Sequence, residues 1–368
     1  MKWKDLFKRE APTEKAIMVN PNASIPFNFA DIEVNSNNAM NVPPYVASVQ
    51  LLSMSTAKLS KHVMCNGKRD PTHTVEALLR QPNEFMDGYT LFQEAEIQRL
   101  NEGNAYIHIT RNDTGEAIQL MLINRSYVSQ RIDGNKMYYV INQGDTSVIV
   151  PPGDMIHVKS PFLDSSLLKG IGYSTILNKQ LKLWLQAQAH QQAYFENGSD
   201  PLSILGTDAK LDKEAKESVR AAWQDMNRGT DRYKVAVVDA GLRYQKVGVP
   251  FKDLEMNQMF AQLTKEIAST FNVQPSMVGH DGTTNTYSNV ESQQLQFLQN
   301  ALLPGLTAWE AQLQKLFPPG SPYSIKHNYE TLLRADSTAR AERLTKLVGS
   351  QIITTDEARQ LEGLEANA

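Results

Sequence analysis

The strongest constraint in this sequence is a change of hydrophobic period at Gly170-Ile-Gly172. Upstream, from Ala105 to Lys159, short apolar runs alternate with polar residues between Gly-bearing turns. Downstream, apolar residues recur at three- and four-residue intervals over long stretches. Alternation distributes side chains over the two faces of a strand, whereas the longer interval lines one face of a helix. A chain that makes this switch builds a sheet layer first and helices afterwards, which is α+β. With 368 residues the chain also exceeds the length at which one core usually stops growing, about 250 to 300 residues, so several packed subdomains are expected.

The strand segments are Tyr106-Ile-His-Ile-Thr, Ile118-Gln-Leu-Met-Leu-Ile, Met137-Tyr-Tyr-Val-Ile, Ser147-Val-Ile-Val and Met155-Ile-His-Val. Asn112-Asp-Thr-Gly115, Asp133-Gly-Asn135 and Gln143-Gly-Asp145 supply the positive-φ positions that tight hairpins need, so the region reads as one antiparallel meander. Before it, residues 8–44 read as loop, including Asn35-Ser-Asn-Asn. A helix is expected from Pro44 to about Met64, and another after Thr90, where Thr90 and Gln93 form a capping-box pattern.

After Gly172 a long helix runs from Tyr173 to Glu196 and stops at Asn197-Gly198. Leu202-Ser-Ile-Leu, a helix after Asp212 and Lys234-Val-Ala-Val-Val then make a β-α-β insertion. Met256, Met259, Phe260, Leu263, Ile267 and Phe271 define the next long helix, ending near Asn272. A pliable loop, Gly279-His-Asp-Gly-Thr-Thr-Asn-Thr-Tyr287, leads to a helix capped by Ser288 and Glu291. Pro304 inside that helix should kink it, because proline removes a backbone donor. A strand at Tyr323 to Glu330 and two short helices, after Asp336 and after Thr354, complete the pattern.

Several chemistries find no support. The seven histidines show no HExxH spacing and no His/Cys cluster, and one cysteine, Cys65, excludes an intrachain disulfide framework. No G-x-x-x-x-G-K-[ST] phosphate loop is present. Gly170-Ile-Gly172 opens a helix as a dinucleotide fingerprint does, but position 175 is Thr and the preceding segment is not a βαβ unit. His280-Asp281 pairs a base with an acid, which leaves a hydrolase as the alternative function, but no GxSxG elbow accompanies it. No cofactor is expected. No apolar run is long enough to span a membrane, and the N-terminal residues carry no secretory-signal pattern, so assembly in the cytoplasm is expected. A formal charge of −3 argues against a protein that grips nucleic acid tightly. Five glutamines between 180 and 192 give the long helix a neutral polar face, readable either as a solvated surface or as the wall of an aqueous passage.

In order along the chain, Gln81-Pro-Asn, Asn101-Glu-Gly-Asn-Ala-Tyr106, Gly153-Asp-Met-Ile-His157, Gly170-x-Gly172-Tyr-Ser and Tyr194-Phe-Glu-Asn-Gly198 are joined by a second group. These are Pro250-Phe-Lys-Asp253, Ile267-Ala-x-x-Phe-Asn-Val-Gln-Pro275, Tyr287-Ser-Asn-Val-Glu291, Leu303-Pro304 and Leu333-Arg-Ala-Asp336, followed by Gly349 through Thr354 to Glu357 and Arg359. Together they resemble the portal proteins of tailed bacteriophages, the ring-shaped head-to-tail connectors, of the type common in long-tailed phages. The resemblance implies an N-terminal arm (1–44), a wing of helices and antiparallel sheet (45–172), a stem helix (173–197), a clip (198–252) and a second stem helix (253–273). It further implies a tunnel loop (274–287), a tunnel helix (288–317), a wing strand (318–334) and a short crown (335–368). Where relatives often carry Val-Pro-Pro this chain has Val273-Gln-Pro275, which predicts a less rigid start to the tunnel loop.

As function, the resemblance implies a non-enzymatic portal subunit in the virion, probed most directly by its oligomeric state. It would form a homo-oligomer, a dodecamer, around an axial channel for double-stranded DNA. Its further partners would be the large terminase, the head-tail adaptor and the major capsid protein, with no membrane. The channel residues expected are Lys179, Lys182, Gln188, Lys265, His280, Asn285 and Tyr287, and the clip contacts Trp223, Met226, Arg220 and Arg228. The clip, from Gly198 to Asp253, holds ten Lys/Arg and nine Asp/Glu, so even there the charge is almost balanced.

Overall fold

A computed structural model describes residues 32–134, 136–144, 146–196, 203–206, 212–215, 217, 218, 221, 243–246, 256–279, 287–329 and 337–361. The chain divides into two compact units, one containing Lys179–Leu263 and a larger one containing Val34–Asn178 and Thr264–Ala368.

The larger unit opens with helix α1 (Ser36–Ala39), in a stretch expected to be loop. Asn35 makes the difference: its side chain accepts the N–H groups of Asn37 and Asn38 at 2.9 and 3.0 Å, and Asn38 Oδ1 accepts the Asn35 N–H at 2.8 Å. These bonds satisfy donors that a helix start otherwise leaves orphaned. Helix α2 (Pro43–Lys58) begins on two prolines, whose missing donors cost nothing in a first turn. It ends six residues before the expected Met64, because Lys61–Cys65 form strand β1. That strand pairs antiparallel with strand β2 (Lys68–Arg69) and with the C-terminal strand Tyr323–His327. Only distant pairing partners reveal such a short strand.

Helix α3 (Thr74–Arg80), which the sequence pattern did not reveal, leads to α4 (Gly88–Glu102). The cap of α4 is Asp87, whose Oδ1 accepts the Thr90 N–H at 2.7 Å, so the helix starts before the expected Thr90 box. Strands β3 (Asn104–Arg111), β4 (Ala117–Ile123), β5 (Val128–Asp133), β6 (Lys136–Gln143), β7 (Thr146–Val150) and β8 (Met155–Lys159) follow. They are antiparallel throughout, and Gly115, Gly134 and Gly144 take the positive φ expected of them. They do not form one meander. The order is β4-β3-β8 in one sheet and β5-β6-β7 in another, because β8 returns to pair with β3. Strand β5 escaped notice because Ser129, Gln130 and Arg131 mask its alternation.

The expected long helix is two: α5 (Tyr173–Ile176) and α6 (Asn178–Glu196), broken at Leu177. In the smaller unit, strand β9 (Ser203–Gly206) pairs antiparallel with β10 (Arg243–Lys246), which was not foreseen. Residues 213–215 are helical, with Asp212 accepting the Ala215 N–H at 2.7 Å. The strand expected at Lys234 lies outside the described residues. Helices α7 (Met256–Thr270), α8 (Tyr287–Gln296) and α9 (Leu303–Leu313), strand β11 (Tyr323–His327), and helices α10 (Ser337–Gly349) and α11 (Thr355–Leu361) complete the chain. The main core lies between α4, the β4-β3-β8 sheet and α9, where Phe92, Leu91, Ile107, Leu120, Ile156, Trp309 and Leu313 are fully buried.

The period change at Gly170-Ile-Gly172 is a joint of backbone on backbone. A Cβ on Gly170 would lie 2.0 Å from the Gly103 carbonyl oxygen, and one on Gly172 would lie 2.1 Å from that of Asn101. Buried Asn104 clasps the joint: its Oδ1 accepts the Gly170 N–H and its Nδ2 donates to the Gly170 carbonyl, both at 2.8 Å. His157 Nε2–H donates to the same Oδ1 at 2.9 Å, and Tyr139 OH donates to His157 Nδ1 at 3.1 Å. The glycine pair thus serves close approach rather than phosphate binding.

Gly170→Ala should destabilise the protein by about 2 kcal/mol or more, read as a lowered urea midpoint, because both walls of the joint are main chain. A second expectation concerns pH. Burial lowers the His157 pKa from its ordinary 6.5 to about 3. The unfolded imidazole therefore takes up a proton that the folded ring refuses. The stability is fully present above the unfolded value and drains as pH falls toward the folded one, by up to about 1.4 kcal/mol per pH unit. His157→Gln should flatten that slope in urea titrations between about pH 7 and pH 4.

Candidate channel elements and tunnel helix

In the smaller unit, α6 buries Leu181 and Ala187, and its Trp184 ring lies 4.6 Å from the ring of Phe260 on α7. Lys179 is exposed and Lys182 half-buried. Three residues apart, they share a helix face. Gln188 is exposed but lies nine residues beyond Lys179, on the order of half a turn away around the helix. The glutamine that continues the lysine face is instead Gln186, seven residues on and about two full turns along. Lys179 and Lys182 therefore share a face that Gln188 does not. Lys265 is exposed on α7, in the part belonging to the larger unit. Tyr287 is the first residue of α8. His280 and Asn285, with the clip residues Trp223, Met226, Arg220 and Arg228, lie outside the described residues, as does Asp281.

The residues that lead to the expected tunnel loop are well anchored. Phe271 and Val273 are buried, Asn272 takes a left-handed φ of 56°, and the Val273 N–H returns to the Ala268 carbonyl at 2.9 Å. Pro275–Val278 form a 3-10 turn ending at Gly279, whose φ is 88°. Gln274, where a second proline was the family expectation, donates from Nε2 to Gln296 Oε1 at 3.0 Å. Ser276 Oγ donates to Gln293 Oε1 at 3.4 Å. The looser start expected from losing a proline is thus offset by bonds to α8 that proline could not make.

Pro304 acts upstream of itself. Phe297–Leu302 form a π-helical turn, and the Leu303 N–H reaches back five residues to the Leu298 carbonyl. A widened turn absorbs the donor that proline lacks. Beside it lies a cavity of about 420 Å³, lined by Asn300, Ala301, Pro304, Gly305, Phe271 and Arg99 among others. Below the turn, α9 is fixed to α4 through a carboxylate. Glu96 receives two bonds from Arg99, at 2.5 and 2.7 Å, and the indole N–H of Trp309 at 2.7 Å; all three residues are buried. Burial opposes the Arg99 charge, but the neighbouring carboxylate outweighs it and raises the guanidinium pKa. Glu96 and Arg99 were legible as an i,i+3 pair, but nothing local indicated Trp309 as their partner.

Among the described residues no group of three or more His, Cys, Asp and Glu could hold a metal ion, and no helix is long and apolar enough to cross a membrane. A family model described as "Phage portal protein" matches residues 43–363. The chain belongs to the phage portal protein family. The portal protein of Enterobacteria phage HK97 is 25% identical over 346 residues, covering 91% of this chain and 81% of that protein. The portal protein of Escherichia phage T5 is 26% identical over 306 residues, covering 80% and 72%. Among solved structures, an HK97-family phage portal protein from Corynebacterium diphtheriae superposes with a TM-score of 0.63 at 16% identity, covering 83% of this chain and 100% of that one. A chain in the neck of a native gene transfer agent particle computed with C12 symmetry gives 0.60 at 21% identity, covering 90% and 94%. The α+β fold is thus the portal fold, and the α8–π–α9 rod occupies the residues for which the resemblance implied a tunnel helix.

Restoring the missing donor with Pro304→Ala should let the π turn relax toward α-helix. Amide hydrogen exchange across residues 297–303 should then slow by about tenfold; unchanged exchange there would show that the cavity side, not the proline, sets the turn.

Proposed function

We propose that this portal subunit assembles into a dodecameric ring at the capsid vertex and conducts double-stranded DNA during genome packaging and ejection. The observation that carries the reading is the portal family match over residues 43–363, joined to a fold shared with a solved portal structure over 83% of this chain. The twelvefold symmetry of the neck in which a similar chain sits supports the ring number. The ring would be assembled in the host cytoplasm and reside in the virion. It would meet the large terminase and the head-tail adaptor through the clip and the major capsid protein through the wing.

The channel surface best supported on α6 is the Lys179, Lys182 and Gln186 face, with Lys265 a separate contribution from α7. Exposed Lys179 and half-buried Lys182 would offer phosphates weak attraction, and a neutral glutamine continues the surface without adding to it. That suits passage, since each neutralised phosphate adds counterion-release affinity that slows sliding. A relieved kink beside a cavity gives the tunnel helix room to shift while Gln274, Gln296 and Trp309 hold its flanks. The hydrolase alternative at His280-Asp281 draws no support from the described residues, and a non-catalytic role is the reading adopted.

Electron microscopy of the purified protein should show twelvefold rings with a central channel; a monomer under every condition tested would sink the proposal. In an infected-cell packaging assay, Lys179→Glu with Lys182→Glu should leave rings intact and lower packaged DNA several-fold. Gln188→Lys should have a smaller effect. Equal packaging by the double variant and the parent would remove this face from the channel.

A further inference from the structure

Independently of the ring reading, the larger unit carries a cationic cleft of about 540 Å³, walled by the end of α2, β1, the last turn of α3 and the start of α4. Lys58, Lys61, Arg69 and Arg80 line it against two carboxylates, Glu76 and Asp87. Both carboxylates are already spent. Glu76 Oε2 accepts the Val63 N–H at 2.9 Å, and its Oε1 takes Arg69 Nη2 at 2.8 Å and His62 Nδ1 at 3.2 Å, with Arg80 at 3.9 Å. Asp87 caps α4.

Lys61 is the group left over. Its Nζ donates to the Leu59 carbonyl at 3.2 Å and lies 4.0 Å from the centroid of the Phe92 ring, and among the described residues no carboxylate forms an ion pair with it. Burial pulls its pKa down to about 7, and the field of Glu96 restores only part of that. A half-buried cation with one carbonyl and one ring beside it gains more from an incoming anion than a fully exposed lysine does. Exposed Lys58 and Arg80 stand at the rim, and the apolar floor of Leu79 and Phe92 suits the methylene stem of an acidic side chain.

We propose that this cleft docks an acidic segment of a partner protein, one carboxylate reaching Lys61 while its neighbours along the segment meet Lys58 and Arg80. Duplex DNA fits less well, because its phosphates lie on a stiff rod that meets the rim cations but not a lysine below them.

The test titrates the full-length protein with fluorescein-labelled hexaglutamate at about 50 mM salt, where exposed charges are incompletely screened. Saturable binding is expected, weakened at least about tenfold by Lys58→Glu with Arg80→Glu, two exposed positions outside the core. Limited acetylation near neutral pH, mapped by mass spectrometry, should modify Lys61, and hexaglutamate should protect it. No binding, unchanged affinity in the double variant, or Lys61 acetylated equally with and without peptide would each overturn the proposal. So would displacement of the peptide by inorganic phosphate or a short DNA duplex at equal charge concentration, since either would make the cleft a general anion or phosphate-backbone site.

Discussion

The larger unit depends on one buried carboxylate. Glu96 takes a bidentate guanidinium from its own helix and an indole N–H from a residue more than two hundred positions away. Its desolvation is met only when α9 has docked on α4, so the bond is a condition on the fold rather than an addition to it. Removing Glu96 would leave the Arg99 charge and the Trp309 N–H buried without their acceptor, and removing Arg99 would leave the carboxylate without its counter-charge, a larger penalty than the bond's own net worth. Helix α9 is therefore held at Trp309 by electrostatics, and the chain is relieved at residues 297–302 by a π turn. The two segments have different mechanical characters.

That contrast sits in a chain whose charges nearly cancel. A net charge of −3 argues against a tight grip on nucleic acid. The structure narrows the point: the lysines of α6 are two, exposed or half-exposed, and neighbour a neutral glutamine, while the larger unit keeps a buried Arg paired. Buried Arg99 serves the architecture through Glu96, while Lys58, Arg80, Lys179 and Lys265 carry their charge at the surface.

Most element identities were legible because periodicity and turn chemistry are local. Gly115, Gly134 and Gly144 announced their hairpins, and the α7 and α9 stripes announced their buried faces. Failures came where the deciding partner was distant in sequence. Lys61–Cys65 read as helix because only Tyr323–His327 makes them a strand, and the single meander became two sheets because β8 prefers β3. Asn35 and Asp87 were missed as caps although both residue types favour that role, because each lay just outside the window the apolar pattern drew. For the candidate site, residue types and their relative phase were both readable, Gln186 and Gln188 differing by two positions and by on the order of half a turn; which face would meet a channel is set by neighbouring subunits, outside any local pattern. Gln274 shows the same limit, since its value lies in reaching Gln296.

The pairing of β3 with β8 also orders events as the chain folds. Tyr106 meets His157 only across the whole of β4 through β7, and closing so long a loop costs entropy before any ladder forms. The β5-β6-β7 hairpins need only near neighbours, so their early closure would shorten the span that β3 and β8 must bridge. The inserted sheet is in this sense an entropic tie, drawing together two strands that contact order would otherwise keep apart.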